Sequence, residues 1–161
     1  MPIAEKNWSK EMEQPIYEEW KSKKVYAFHK DEHKKVFSID TPPPYVNTPI
    51  HIGHASTYTL MDMFARFHRM CGKNVLFPLG LDRNGLPIEV AAEKKFRISF
   101  ISTPREQFIE KCKQLLEESS ASSIDSFLKL GIGFNSWQAG SRIGDVYFTD
   151  SPEYRALTQS T

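Results

Sequence analysis

The sequence lacks most features that mark secreted, membrane-spanning or metal-binding proteins. Its only cysteines, Cys71 and Cys112, are far apart and have no Cys-x-x-Cys spacing or histidine-rich neighbour. This argues against a disulfide framework or a zinc site, and favours ordinary thiols in a reducing cytoplasm. No run of eighteen apolar residues occurs, and the N-terminal segment MPIAEKNWSKEMEQP has no apolar stretch. We therefore expect a soluble cytoplasmic protein without a membrane partner, a secretory leader or a bound metal.

A strong excess of charge of one sign is also absent. Twenty-one basic residues stand against twenty acidic ones, which leaves a formal net charge of +1. Such a balance gives no general affinity for nucleic acids or membrane surfaces, so any contact with RNA must be local. With 161 residues, of which 40% are hydrophobic, the chain can form one compact core.

The chain divides into a polar N-terminal part and a part with alternating strands and helices. Residues 1–35 are rich in Lys and Glu, with apolar residues at roughly helical intervals. This pattern predicts an amphipathic helix, or a pair of helices, packed against the later domain. The remaining residues, 36–161, carry the patterns of a strand, a helix and a second strand in succession.

The first strand is predicted at residues 36–40 (VFSID), which run directly into a threonine and three prolines. Apolar residues at helical spacing then predict a helix over residues 54–70 that ends at Gly72. Residues 74–78 (NVLFP) predict a buried strand, and LGLDRNGLP after them predicts a loop. A strand, a long connecting helix and a second strand indicate an α/β fold with a parallel sheet.

Two further helices are predicted downstream. Thr103-Pro104-Arg105-Glu106 has the order of a capping box, with Thr103 as N-cap, and starts a long helix. Residues 119–123 (SSASS) weaken this helix, but its apolar face resumes at Ile124, Phe127 and Leu128, before Gly131. Ser151-Pro152-Glu153 begins the last helix, and the sequence ends about ten residues into it. Because a domain rarely stops within an amphipathic helix, we expect the sequence to be a fragment, one part of a split gene, or otherwise truncated.

The segment PPPYVNTPIHIGH, residues 42–54, carries the clearest chemical signal. Gly53 allows backbone to approach a ligand closely, and His51 and His54 lie three residues apart where a helix begins. They therefore share one face beside unpaired N–H groups and the positive end of the helix dipole. Two imidazole donors at this place suit nucleotide phosphates and the charge that develops when a carboxylate attacks the α-phosphate.

Two other interpretations apply to a pair of histidines around a glycine. The first is a solvated turn, but a preceding strand and a following helix give this motif the context that a nucleotide site requires. The second is a zinc site, but two histidines without a third ligand nearby leave the coordination incomplete.

The stretch TPPPYVNTPIHIGHASTYTLMDMFARFHRMCGKNVLFPLGLDRNGLPIE, residues 41–89, resembles the first half of the catalytic domain of class I aminoacyl-tRNA synthetases. It is similar to the branch specific for valine, isoleucine and leucine. The triple proline and the GLDRNGLPIE segment resemble valyl enzymes of archaeal or eukaryotic style. Isoleucyl enzymes, which tend to carry a GxDxHGLPxE segment, are the nearest alternative.

The resemblance implies a role for each matching residue. His51 and His54 are expected to be catalytic and to contact the ATP phosphates, with Gly53 against the adenine or ribose and Asn47 at the floor of the nucleotide site. Pro43, Pro44 and the Tyr45 backbone are expected to border the amino-acid pocket. Asp82 is expected to pair with the α-ammonium group of the substrate. Arg83, Asn84 and Glu89 are expected to hold the loop, and His68 to be a surface or packing residue.

The resemblance also implies a fold and a set of partners. Residues 36–161 would form the first half of a Rossmann-like catalytic domain that stops before the editing insertion, with residues 1–35 as a helical extension. The substrates would be ATP with Mg²⁺, valine and tRNA, the last through domains that this sequence does not contain. The KMSKS signature is absent. We therefore expect the chain alone to be inactive and to need the remainder of the synthetase, in cis or in trans.

Two alternatives from other classes remain open at this point. A small stand-alone nucleotidyltransferase also uses an HxGH motif. This interpretation predicts a phosphate-binding cluster near the C-terminus, for which RALTQST is only a weak match. A non-catalytic, synthetase-like module could bind RNA or a protein partner without adenylation. In either synthetase interpretation, apolar surface on the two longest helices is expected to face the missing half.

Overall fold

The computed structural model describes residues 7–30 and 33–160. Residues 1–6, the start of the predicted N-terminal extension, and Thr161 lie outside the described residues, as do residues 31 and 32. In the described residues, a 3-10 turn at Lys10–Met12 precedes the α-helices α1 (Glu13–Lys23), α2 (Ile52–Met70), α3 (Leu86–Phe96), α4 (Arg105–Lys129) and α5 (Pro152–Ser160). The strands in the same part of the chain are β1 (Val36–Ser38), β2 (Asn74–Leu76), β3 (Gly80–Leu81) and β4 (Tyr147–Phe148).

Every strand pair in the described part of the chain is parallel. β1 pairs with β2, and β3 pairs with β4. A parallel bridge between Tyr45 and Asp82 continues the first pairing beyond β1 and β2. Parallel neighbours require a long crossover connection, and α2 provides the one between β1 and β2. The predicted α/β fold with a parallel sheet is confirmed.

The core lies between the strands and the helices α2 and α4. Phe77, which follows β2, is fully buried and packs on Phe134 with 4.6 Å between ring centroids. Phe127 of α4 meets the same Phe134 edge to face at 5.7 Å, and Tyr58 of α2 packs on Phe127 at 4.7 Å. This aromatic cluster connects both helices to the sheet, and edge-to-face contacts of this kind are favourable.

Helix α2 is defined at both ends by its own sequence. It begins at Ile52, two residues earlier than predicted, because the extended His51 is its N-cap. It ends at Met70, and Gly72 follows with φ of 75°, a left-handed conformation that glycine adopts without steric cost. The prediction that Gly72 ends this helix is confirmed.

One local prediction was wrong. α4 begins at Arg105 with Pro104 as its N-cap and no side-chain cap, so Thr103 does not form a capping box. The helix continues through the serine-rich stretch to Lys129, over 25 residues, as the apolar pattern before Gly131 predicted. Ser120 and Ser123 are buried there, and their small size permits close packing that offsets their low helix propensity.

The segment LGLDRNGLP, predicted as a loop, is partly strand. Its residues Gly80 and Leu81 form β3 because β4, far along the sequence, supplies a partner. Tyr147 N–H donates to the carbonyl of Leu79 at 3.0 Å, and Thr149 N–H donates to that of Leu81 at 3.2 Å. The glycines and the proline of this segment are typical of a loop, but pairing with the distant strand β4 makes Gly80 and Leu81 a strand.

The N-terminal part packs against α2 and α4. Arg66 of α2 donates to the Tyr26 hydroxyl at 3.0 Å and lies 5.5 Å from the Trp20 ring centroid. Tyr17 of α1 donates to the carbonyl of Lys129 at 3.2 Å. Within residues 7–30 and 33–160, no helix is both long and apolar enough to cross a membrane.

Candidate functional site

The first part of the site is the N-terminus of α2. The Nδ1 atom of His51 accepts a hydrogen bond from the Gly53 backbone N–H at 3.1 Å. The Nδ1 atom of His54 accepts one from the His51 backbone N–H at 3.4 Å. The two rings are 4.0 Å apart between centroids. Each histidine therefore caps the helix start while its ring stays beside the other.

These hydrogen bonds assign the proton on each ring. A neutral imidazole that accepts at Nδ1 carries its hydrogen on Nε2. His51 is exposed and His54 half-buried, so both Nε2–H groups are available as donors at the helix N-terminus. Partial burial, together with the neighbouring His51, lowers the pKa of His54 below its ordinary value. His54 is accordingly neutral at neutral pH.

Gly53 is required by the closeness of its backbone to the His51 ring. A Cβ atom at this position would lie 2.9 Å from Cε1 and 3.1 Å from Nδ1 of His51. Any side chain would push the His51 ring out of its cap position. The glycine thus keeps backbone and imidazole together at the start of the helix.

The second part of the site is the proline segment that follows β1. The Tyr58 hydroxyl of α2 donates to the Pro42 carbonyl at 2.9 Å. Burial raises the pKa of Tyr58 to about 12, so the hydroxyl keeps its proton as a donor. This bond fixes the start of the segment against the helix that carries the two histidines.

The proline segment also pairs with the residues after β3. Asp82 N–H donates to the Pro44 carbonyl at 2.8 Å, and Val46 N–H donates to the Asp82 carbonyl at 3.2 Å. Pro44 is buried, Pro43 is half-buried and Tyr45 is exposed. The structure therefore brings the segment of Pro43, Pro44 and Tyr45 alongside Asp82, and the role of these residues at an amino-acid pocket stays a prediction.

The carboxylate of Asp82 is held by two donors. Its Oδ1 accepts from the Asn84 backbone N–H at 3.1 Å and from the Thr149 hydroxyl at 2.9 Å. Its Oδ2 accepts no hydrogen bond from the described part of the chain. One oxygen thus fixes the orientation of the carboxylate, and the other is available to a cation.

The chain matches the family model of class I tRNA synthetases (I, L, M and V) over residues 15–143. The match covers most of the sequence and includes both parts of the site. The chain belongs to this family. Membership favours the synthetase interpretation of the HxGH motif over the stand-alone nucleotidyltransferase.

The relatives of this synthetase chain are much longer than it is. The valine--tRNA ligase of Pyrobaculum aerophilum is 42% identical over 96% of this chain and 18% of its own length. That of Nanoarchaeum equitans is 44% identical over 89% of this chain and again 18% of the relative. The valine--tRNA ligase of Wolbachia pipientis is 38% identical over 98% of this chain and 17% of the relative. The chain spans less than a fifth of these relatives.

A solved structure extends the likeness to three dimensions. The LeuRS of Agrobacterium radiobacter K84 (agnB2), crystallised in a ternary complex with tRNA and LeuAMS, matches with a TM-score of 0.71 and 26% identity. The match covers 92% of this chain and 16% of that one. The fold of this synthetase chain is therefore similar to part of a Rossmann-like class I catalytic domain.

Not every predicted residue of the synthetase site lies in these two parts. Asn47 makes no hydrogen bond within the described residues. It lines a separate cavity of about 300 Å³ beside Ser119 and Ser122 of α4. Its role at the nucleotide floor stays a prediction.

Within residues 7–30 and 33–160, no group of three His, Cys, Asp or Glu residues lies close enough to hold a metal ion.

Arg83 has a structural position next to Asp82. Its guanidinium lies 2.7 Å from Glu117 Oε1 and 3.0 Å from Asp150 Oδ1, and 4.4 Å from the centroid of the Phe148 ring. The side chain is buried. These contacts agree with the expectation that Arg83 holds the loop and does not contact substrate.

Sequence reasoning missed Thr149. Its hydroxyl donates to Asp82, and accepts from the Arg83 backbone N–H at 3.0 Å and from Asn84 Nδ2 at 3.0 Å. No local pattern marks this threonine, because its partners lie 65 to 67 residues earlier in the chain. Only the pairing of β3 with β4 brings it to the site.

Proposed function

We propose that this chain is the ATP- and amino-acid-binding part of a valine--tRNA ligase. It would act with the remainder of such an enzyme to form valyl-adenylate and charge tRNA. The identity of 42% to the Pyrobaculum aerophilum valine--tRNA ligase, over nearly the whole chain, supports this choice of substrate. Because the chain spans only 18% of that relative, the transfer to tRNA is assigned to the remainder.

One observation carries the proposal. The bridge between Tyr45 and Asp82 holds an anchored carboxylate beside the chain that leaves β1, and that same chain leads into the α2 N-terminus with its two histidines. Ligands of open α/β sheets bind outside the carboxyl ends of the strands. Groups suited to an ammonium and groups suited to phosphates are thus joined by one short segment.

The proposed chemistry follows from these groups. Asp82 Oδ2 would accept from the α-ammonium of valine, so that the valine carboxylate is oriented towards the α-phosphate. The Nε2–H groups of His51 and His54 would donate to phosphate oxygens, where negative charge grows as pyrophosphate leaves. Neutral donors at a helix N-terminus stabilise that charge without taking up a proton.

The proposal also includes the metal ion that accompanies ATP and the cellular compartment of the reaction. Mg²⁺ would enter with ATP and neutralise phosphate charge. We place the reaction in the cytoplasm, which the two free thiols, Cys71 and Cys112, support.

Valine-dependent ATP–pyrophosphate exchange tests the function. The chain is assayed alone and mixed with the Pyrobaculum aerophilum relative from which the matching stretch has been removed. We expect exchange in the mixture, with valine preferred over isoleucine. Asp82→Asn should lower the exchange rate roughly 100-fold, because an ion pair in a desolvated site contributes about 3 kcal/mol.

Asp125→Asn is the matched control. Asp125 is an exposed carboxylate on α4 that pairs with Lys129, and its replacement should leave the exchange rate within about twofold. Preference for isoleucine would assign the isoleucyl alternative. A folded mixture without any exchange would leave a non-catalytic binding module and contradict the proposal.

A further inference from the structure

We propose that a cavity at the N-terminal ends of β1 and β4 binds an unpaired segment of nucleic acid. One base would stack inside the cavity, and the neighbouring phosphates would lie along the basic stretch formed by residues 21–35. The cavity is lined by residues that precede β1 and β4. Asp82 and the proline segment follow their strands, so the two sites lie at opposite ends of the sheet.

The cavity has the size and the lining of a ligand site. Its volume is about 730 Å³, and ligand pockets usually measure about 300–1,000 Å³. A quarter of its lining residues are aromatic, against 12% of the whole chain. They are Trp20, Tyr26, Phe28, Phe134 and Trp137. Trp20 and Trp137 are only half-buried, so part of each indole is open to a planar ligand.

Hydrogen bonds join the two walls of the cavity. One wall is the N-terminal part of the chain, and the other comprises α4 and the residues before β4. The Asn135 side chain donates to the carbonyls of Tyr26 at 2.7 Å and Val75 at 2.9 Å. The Tyr17 hydroxyl donates to the Lys129 carbonyl at 3.2 Å. The cavity is therefore formed before a ligand enters, which lowers the entropic cost of binding.

The charge that remains free at the cavity is positive. Both acidic residues in the lining are paired within the chain, Asp125 with Lys129 at 2.6 Å and Asp145 with Arg142 at 3.2 Å. Lys24 also lines the cavity, and its ammonium group forms no ion pair with another described residue. An anionic ligand is therefore favoured over a cationic one.

The basic stretch extends this positive charge away from the cavity. Residues 21–35 contain six lysines and two acidic residues, although the whole chain is close to neutral. Lys21, Lys24 and His29 line the cavity, and the exposed Lys30 follows directly. Single-stranded nucleic acids bind where aromatic side chains stack with bases and basic residues follow the phosphates. Both features meet at this cavity.

A free carboxamide is available for the edge of the base. The Gln138 side chain lines the cavity, is exposed and forms no hydrogen bond within residues 7–30 and 33–160. Its backbone is fixed, because the carbonyl accepts from Val146 N–H at 3.0 Å and the N–H donates to Ser136 Oγ at 3.1 Å. A carboxamide matches the donor and acceptor on one edge of adenine. We therefore expect a preference for adenine among unpaired bases.

Fluorescence anisotropy with labelled oligonucleotides tests this proposal. The probes are hexaadenylate RNA, hexaadenylate DNA and a GC-rich RNA duplex. We expect both single strands to bind the full chain more tightly than the duplex, whose paired bases cannot enter the cavity. The tighter of the two single strands identifies the source. Trp137→Ala should weaken their binding about tenfold, because it removes a stacking surface.

Trp8→Ala is the matched control. Trp8 is 73% exposed and lies outside the cavity lining, so its replacement should change the affinity less than about twofold. Equal weakening by the two tryptophan variants would overturn the proposal, and so would equal affinity for the duplex. If circular dichroism shows that Trp137→Ala does not fold, Gln138→Ala at an exposed position replaces it. That variant should bind about threefold more weakly, and an unchanged affinity would overturn the proposal.

The salt dependence of binding tests the basic stretch. For a single strand, loss of one phosphate contact should lower the slope of log affinity against log salt concentration by about 0.7. Lys24→Asn removes one such contact, and asparagine tolerates the left-handed backbone of this residue, with φ of 49°. Lys113→Asn, at an exposed lysine of α4 outside the cavity lining, should leave the slope unchanged. The same slope in both variants would contradict the proposal.

Failure of this proposal is distinguishable from failure of the proposed function. Binding of single strands without valine-dependent exchange would keep the cavity site and contradict the enzymatic function. Valine-dependent exchange by a chain that binds neither single strand would keep the function and remove the cavity site.

Discussion

The two parts of the site differ in how the chain builds them. At the N-terminus of α2, the hydrogen bonds of His51 and His54 join residues two or three positions apart. Asp82, Arg83, Asn84, Thr149 and Asp150 form what we call the Asp82 corner. Its side-chain contacts join residues up to 67 positions apart in the chain. The histidine pair is exposed or half-buried, whereas Arg83 in the corner is buried.

Because of this difference, we expect substitutions in the two parts to affect ligand binding and the free energy of unfolding to different extents. The histidine pair keeps its geometry wherever α2 forms, so substitutions there should alter ligand binding with little effect on unfolding. The Asp82 corner exists only when β3 and β4 pair, so substitutions there should alter the free energy of unfolding and the site together.

The largest expected effect is that of Arg83→Met. The change keeps the aliphatic part of the side chain but removes both ion pairs, and it leaves Asp150, which is mostly buried, without its partner. We expect the free energy of unfolding, measured by urea denaturation, to fall by about 2–3 kcal/mol.

Arg142→Met is the control for Arg83→Met. Arg142 also pairs with an aspartate, Asp145, at 3.2 Å, but its side chain is 78% exposed. Its loss should cost less than about 0.5 kcal/mol. Equal losses for both variants would mean that the corner around Asp82 does not depend on buried contacts.

A smaller effect is expected for Thr149→Val. Valine has the same shape but lacks the hydroxyl that joins Asp82, Asn84 and the Arg83 backbone. We expect a loss of about 1–2 kcal/mol in urea denaturation, and a raised KM for valine because Asp82 loses one of its two anchors. Thr149→Ser keeps the hydroxyl and should retain the KM. A normal KM in Thr149→Val would show that Asn84 alone positions Asp82.

The same difference explains what the sequence could predict. The helix start at His51, the glycine between the rings and the end of α2 at Gly72 depend on neighbouring residues, so a local pattern contains them. The roles of Asp82 and its proline neighbours came from resemblance to a family, since a blind interpretation of an aspartate in a glycine-rich loop is a loop cap.

Long-range packing accounts for the errors. β3 was missed because its partner strand is more than 60 residues away, and Thr149 was missed for the same reason. In both cases a tertiary contact outweighed a local propensity.

The smallest expected effect concerns the titration of His54, which should occur below its ordinary pKa. Partial burial and the neighbouring His51 both disfavour the imidazolium. NMR titration of the ring protons should give a midpoint below about 6.5. His51→Asn, which retains an N-cap acceptor, should move that midpoint upward because one of the two causes is removed.

The sign of the pH effect on stability follows from this shift. Below about pH 6.5 the unfolded chain binds a proton at His54 more readily than the folded chain does, so this residue's contribution to stability falls as the pH falls towards the lowered pKa. His51→Asn should reduce that loss, as a smaller pH dependence of the urea midpoint. Arg83→Met should leave the titration midpoint of His54 unchanged, because the side chain of Arg83 contacts Glu117, Asp150 and Phe148 and not the histidine pair. A His54 midpoint that moved with Arg83→Met would couple the two parts and contradict their separation.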